Sequence, residues 1–305
     1  NPRAREPVVK EFFAGTKRLS TELQTTYGCV CETIDDGSWP GAAQPSRRCC
    51  VLDYSIEDVG WVDGAHFAFP CRTFSALAIE HHRPLVVRGR RVLEGSSISP
   101  EAQKANAVVR HCIELMREAR RVNPECVLMA ENPATGYLQH FQPWMDAVRE
   151  FGLVRRDVTY CTFGEPIRKL TSFWSDIPAL HLEAADGRLC CSAEKPCQHF
   201  GAHESVQGDV ASAASAYPQR VANWLARLAN GTDEDSDAVK LKLLDDPAAR
   251  FPDGHAADGA WREHLRATTP RAFEPEPGTG ARASVRASSA GCAREAVIAK
   301  DELRA

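Results

Sequence analysis

Three residue types with chemistry to offer stand at the ends of apolar runs. In "HFAFPCRTFSALA", residues 66–78, Cys71 follows Pro70 directly. It reads either as a nucleophile presented by a strand end or as a buried cysteine packed as a small hydrophobe. In "AENPATGYL", Glu131 closes another apolar run beside Asn132 and Pro133. A carboxyl at the C-terminal edge of a sheet faces the ligand crevice. "YCTFGEPIRKLTSFWS" then supplies Arg168 and Lys169 in a turn between two strand-like runs.

Upstream, "EFFAGTKRLS" ends a strand in a small-residue turn and opens a helix, so that the backbone at Phe13, Ala14, Gly15 and Thr16 can approach a cofactor. Asp35 ends the next strand, "CETIDD", where an acid accepts from the hydroxyls of a ribose or caps a turn. Asp53, in "CVLD", is placed to accept from an adenine amino group. "LCCSAEKPCQHFGAH" holds Cys191, Cys197, His199 and His203, two thiols and two imidazoles that could bind one zinc ion tetrahedrally.

Elements that could position these residues alternate from about residue 8 to 231. "PVVKEFFAG", "CVCETIDD", "RRCCVLDYS", "GAHFAFPC" and "PECVLMAENP" read as strands, with "RRDVTYCTFG" and "KLTSFWSDI" as a closing pair. Between about 102 and 121, Ala105, Val108, Val109, Cys112, Ile113, Leu115 and Met116 follow a helical period. "QPWMDAVREFG" and "YPQRVANWLARLA" read as further helices. The pattern is that of an α/β sheet covered on both faces. Residues 232–305 change to Ala, Asp, Glu, Pro, Gly and Arg, and are expected to be a mostly disordered tail.

The 305 residues carry a net charge of −4, so any nucleic-acid contact must come from a local basic patch. Twelve cysteines without a regular spacing favour reduced thiols in an intracellular protein. No apolar run has the length of a membrane span and no signal peptide is evident, so no membrane contact is expected.

In order along the chain come a cofactor turn, two acids, Pro-Cys, Glu-Asn-Pro and an arginine-containing turn. This order resembles the cytosine-5 DNA methyltransferases, most closely a short phage and viral form, over roughly residues 8–228. "FFAGTKRLS" is similar to the Phe-x-Gly-x-Gly motif, with Lys17 in place of its second glycine. "FPCRTFS" is similar to the nucleophile motif, "ENPATGYL" to the Glu-Asn motif and "FGEPIRKLTSFWS" to the arginine motif, with Leu170 where a second arginine is usual.

The resemblance implies the class I S-adenosylmethionine-dependent methyltransferase fold over residues 1–231: seven mostly parallel strands with helices on both faces. Residues 176–217 would form a short target-recognition segment built on the Cys/His cluster. Cys71 would be the nucleophile, Glu131 the acid and Arg168 the brace for a flipped base. S-adenosylmethionine would lie against Phe13–Thr16, Asp35, Asp53 and Pro70. DNA would meet Arg72, Ser75, Lys169 and the basic loop "HHRPLVVRGRR", with Arg83, Arg88, Arg90 and Arg91. RNA in place of DNA, or a non-catalytic nucleic-acid-binding relative, are the alternatives.

Overall fold

A computed structural model describes residues 5–39, 41–177, 189–192, 197, 203 and 217–229. The tail from 232 and most of the 176–217 segment lie outside the described residues. The strands are β1 (Val8–Phe12), β2 (Val30–Asp35), β3 (Arg47–Arg48), β4 (Gly64–Ala68), β5 (Val86–Val87), β6 (Arg90–Arg91), β7 (Val127–Pro133), β8 (Val154–Thr159) and β9 (Leu170–Ser175). The helices are α1 (Arg18–Tyr27), α2 (Ile79–His82), α3 (Pro100–Val122), α4 (Gln142–Glu150) and α5 (Gln219–Ala229).

Seven strands form one sheet in the order β3-β2-β1-β4-β7-β9-β8, and β5 and β6 form a separate hairpin. β1, β2, β3, β4 and β7 pair in parallel, while β9 runs antiparallel to both β7 and β8. Numbered within the sheet alone, the order is 3-2-1-4-5-7-6 with the seventh strand reversed. Strand order turns back between β1 and β4, and the crevice at such a point is where open α/β sheets bind ligands.

Both faces are covered, which is why the strands read as apolar runs. Phe12, Ile34, Phe67, Leu128 and Trp174 face one core with α3 and α4 residues Val109, Met116 and Trp144. Met129, Phe173, Leu19, Leu23, Val221 and Leu225 form the other. Ser99 caps α3 by accepting from the Ala102 N–H at 3.2 Å, and Pro100 follows where no N–H is needed. β1 nonetheless buries Lys10, which its ammonium tolerates by reaching Glu32 at 2.7 Å, the Tyr54 hydroxyl at 2.7 Å and the Asp58 carbonyl at 2.8 Å.

One expected strand is cut short. Of "RRCCVLDYS" only Arg47 and Arg48 pair with β2, and Val51–Asp53 turn as a 3-10 helix. Among the described residues no helix is long and apolar enough to cross a membrane.

Candidate active site

A cavity of about 560 Å³ opens at the carboxyl edge of the sheet. Phe13, Ala14, Gly15, Thr16, Asp35, Pro70, Cys71, Arg72, Glu131 and Lys169 all line it, so most of the residues expected to act together do meet. Its volume lies in the range of small-molecule sites.

The β1 turn is built on left-handed backbone: Phe13, Gly15 and Lys17 have φ of 60°, 50° and 59°. For Phe13 and Lys17 that conformation is strained, as glycine would not be. Asp35 fastens this turn to the next. Its two carboxylate oxygens accept from the Gly15 N–H at 3.0 Å and the Gly37 N–H at 2.7 Å. Each oxygen keeps a lone pair for a further donor. Lys17 does not line the cavity, and its ammonium donates to the Gln44 carbonyl at 3.0 Å.

Cys71 is half-buried, and its carbonyl accepts from the N–H groups of Phe74 at 3.0 Å and Ser75 at 2.8 Å, closing a tight turn. Ser75 therefore serves the backbone of Cys71. Asn132 donates from Nδ2 to the Phe69 carbonyl at 3.2 Å, tying the Pro70–Cys71 turn to β7. Beside it, Glu131 is buried, with Oε1 making no hydrogen bond and the Lys169 ammonium 3.6 Å away. At that separation the contact is an ion pair that leaves the oxygen open to a ligand.

These three groups set one another's charge. Burial raises the Glu131 pKa, with Lys169 opposing. Burial also raises the Cys71 thiol, which Lys169 lowers and Glu131 raises further. Burial works against the Lys169 charge, but Tyr160, Glu131 and Cys71 outweigh it and hold its pKa above the ordinary lysine value. One cation thus serves two groups that each resist becoming anions.

Several expected residues lie elsewhere. Asp53 is exposed and does not line the cavity, because its run turns before it can extend as a strand. Arg168 points away, donating from Nε to the Cys191 carbonyl at 3.1 Å. Lys169 takes the interior place instead, since adjacent residues of extended chain point to opposite sides.

Arg83 is fully buried rather than part of a basic surface. Its guanidinium donates to the Thr73 carbonyl at 3.0 Å, Asn106 Oδ1 at 2.9 Å and the Leu93 carbonyl, over the Phe74 ring. Burial lowers its pKa to about 10. Arg91 pairs with Glu80 and donates to the carbonyls of Arg83 and Pro84, each at 3.2 Å. Arg88 and Arg90 remain exposed on the β5–β6 hairpin, whose Arg88–Gly89 turn has φ of 50° and 74°.

Cys191, Cys197 and His203 come together, and their fourth neighbour is Cys161, from the turn after β8. His199 lies outside the described residues. Trp39, whose ring lies within reach of Gly15, and Glu11 and Tyr217 also line the cavity, although no motif marks them. An aromatic soon after a strand-ending acid was the available signal for Trp39.

No family profile matches the sequence. No curated protein matches it either. Among solved structures it is similar to the Entamoeba histolytica methyltransferase EhMeth, with a TM-score of 0.37 and 12% identity over 56% of this chain and 53% of that one. It is also similar to the S. pombe Dnmt2 methyltransferase, with a TM-score of 0.33 and 10% identity over 56% and 50%. The chain thus spans about half the length of each of these structures. The strand order decides the fold. This is the class I S-adenosylmethionine-dependent methyltransferase fold. In it the cavity occupies the switch point between β1 and β4, with Cys71 following β4 and Glu131 near the end of β7.

Proposed function

We propose that the chain transfers a methyl group from S-adenosylmethionine to carbon 5 of cytosine in DNA, through a covalent bond from Cys71 to carbon 6. The observation that carries this reading is the convergence of Cys71, Glu131 with its unpartnered Oε1, and Lys169 in one cavity with the Gly15–Asp35 turns.

The residues fit the cofactor. Asp35 offers two oxygens steadied by backbone N–H groups, the Phe13–Gly15 turn brings backbone close, and Trp39, Val51 and Ile34 supply apolar walls. Bound there, S-adenosylmethionine supplies an electrophilic methyl group.

The protein's own part is to make carbon 5 nucleophilic. As the Cys71 sulfur bonds to carbon 6, protonated Glu131 gives its proton to N3 of the ring, where negative charge develops, and the carboxylate so formed takes up the Cys71 thiol proton. Lys169 keeps its charge throughout, so the proton shifts from sulfur to carboxyl without changing the local net charge. After carbon 5 has taken the methyl group it loses its proton to solvent, the sulfur–carbon 6 bond breaks, and the N3 proton returns through Glu131 to the Cys71 sulfur. The base must leave the stack to reach Cys71. The exposed Arg88 and Arg90 are suited to phosphate contacts.

DNA containing 5-fluorocytosine tests this, because fluorine blocks loss of the carbon 5 substituent. We expect a denaturation-resistant adduct with the wild-type chain and S-adenosylmethionine, and none with Cys71→Ser. An adduct on RNA alone would move the substrate to RNA. No adduct on either, with folded protein, would overturn the enzymatic reading.

A further inference from the structure

Outside the cavity lining, four potential ligand atoms converge just past the C-terminal end of β8. They are the Sγ atoms of Cys161, Cys191 and Cys197 and one ring nitrogen of His203, all within 4.8 Å of one another. Cys197 Sγ lies 3.1 Å and Cys191 Sγ 3.8 Å from His203 Nε2. A tetrahedral zinc with bonds of about 2.3 Å to sulfur and about 2.0 Å to nitrogen separates its ligand atoms by roughly 3.5–3.8 Å. The side chains are thus gathered to within small adjustments of such a site.

The surroundings are those of a built site. Cys161 and Cys191 are buried. The Cys197 N–H donates to Cys191 Sγ at 3.3 Å, an outer contact suited to a thiolate. The Cys191 N–H donates to Thr159 Oγ1 at 2.8 Å, and the Thr159 N–H to the Leu189 carbonyl at 2.8 Å, so the segment is laced to the end of β8. None of the four residues lines the cavity.

We propose that Cys161, Cys191, Cys197 and His203 bind one structural zinc ion. Three sulfurs and one imidazole in a tetrahedral set select zinc over the hard cations, and four protein ligands leave no position for substrate. Cys161 lies in the turn directly after β8, and the other three belong to the segment that follows β9. The ion therefore pins that segment to the catalytic domain. It does so where the Cys191 carbonyl also receives Arg168, next to the Lys169 of the cavity. The assignment stands apart from the proposed methyl transfer, and a protein inactive on cytosine could still hold this metal.

The test is elemental analysis of the full chain purified without chelators. About one zinc per chain is expected, falling at least tenfold in Cys161→Ser and unchanged in His199→Ala. Absence of stoichiometric zinc would overturn the proposal, as would full zinc in Cys161→Ser or its loss in His199→Ala. Should Cys161→Ser fail to fold, exchange of zinc for cobalt in the wild-type chain reads the ligands directly. Charge-transfer intensity for three thiolates with tetrahedral d–d bands supports the assignment, and a two-thiolate spectrum defeats it.

Discussion

In the parallel half of the sheet, β1, β2, β4 and β7 all end at the same edge, and each hands over its functional group in its last residues or the turn that follows. In the antiparallel half, β8 and β9 run against one another, and what reaches the cavity depends on which side of the connecting turn a residue faces. Phe13–Gly15, Asp35, Cys71 and Glu131 arrive by the first route. Lys169 arrives by the second, while its neighbour Arg168 is carried off to the Cys/His cluster. Strand order alone positions the first set, whereas the second requires side-chain parity as well.

The largest effect should come from removing the two neighbouring cations one at a time. Lys169→Met leaves Cys71 and Glu131 without their shared cation, and single-turnover methylation should fall about 1000-fold, or roughly 4 kcal/mol. Arg168→Met should slow the same step less than about tenfold and act mainly by loosening the Cys191 segment. A larger loss in Arg168→Met than in Lys169→Met would reverse the assignment of which residue faces the base.

The same difference between position and surroundings divides the arginines of the basic loop. Arg83→Met deprives the Thr73 carbonyl and Asn106 Oδ1 of donors inside the protein, and should cost about 3–4 kcal/mol in urea unfolding. Arg88→Ala with Arg90→Ala should leave stability within about 0.5 kcal/mol. If these two meet phosphates, the slope of log affinity against log salt should fall by about 2. Equal stability losses in the two variants would show that the loop does not divide into a buried and a solvated part.

How much was legible follows from these routes. Apolar runs announced the strands, and their final residues announced the cavity, because in a parallel half the end of a run is the edge of the sheet. Asp53 shows the limit: "CVLD" has the composition of a strand, yet its backbone turns at Val51 and the acid leaves the edge. Cys161 was invisible for a different reason. It reads as one more residue of the β8 run, and only folding brings it to Cys191, which lies 30 positions further along. Arg83 looked like its neighbours because burial is not written in residue type, and four adjacent cations can have different surroundings.

Glu11 is the parallel half's own exception, a carboxyl near a strand end that borders the cavity yet is buried and held by Ser20. It sits opposite His66 in the β1–β4 register and accepts from the Ser20 N–H at 3.1 Å and the Ser20 hydroxyl. Burial raises its pKa to about 7 from the ordinary 4.5. Between those two values the folded chain holds a proton that the unfolded chain has released, so this group's contribution to stability falls as pH rises. Above that window the cost is fully developed, at about 3 kcal/mol. His66 acts with the opposite sign, since burial lowers its pKa to about 3 and its contribution is lost as pH falls below 6.5. Glu11→Gln keeps an oxygen for Ser20 and removes the ionisation. The variant should be more stable than wild type at pH 8, by up to about 3 kcal/mol, and nearly equal to it at pH 4. Thermal unfolding across that range reads both limits. A variant no more stable than wild type at pH 8 would mean that Glu11 ionises without penalty, as a solvated acid of the parallel edge would.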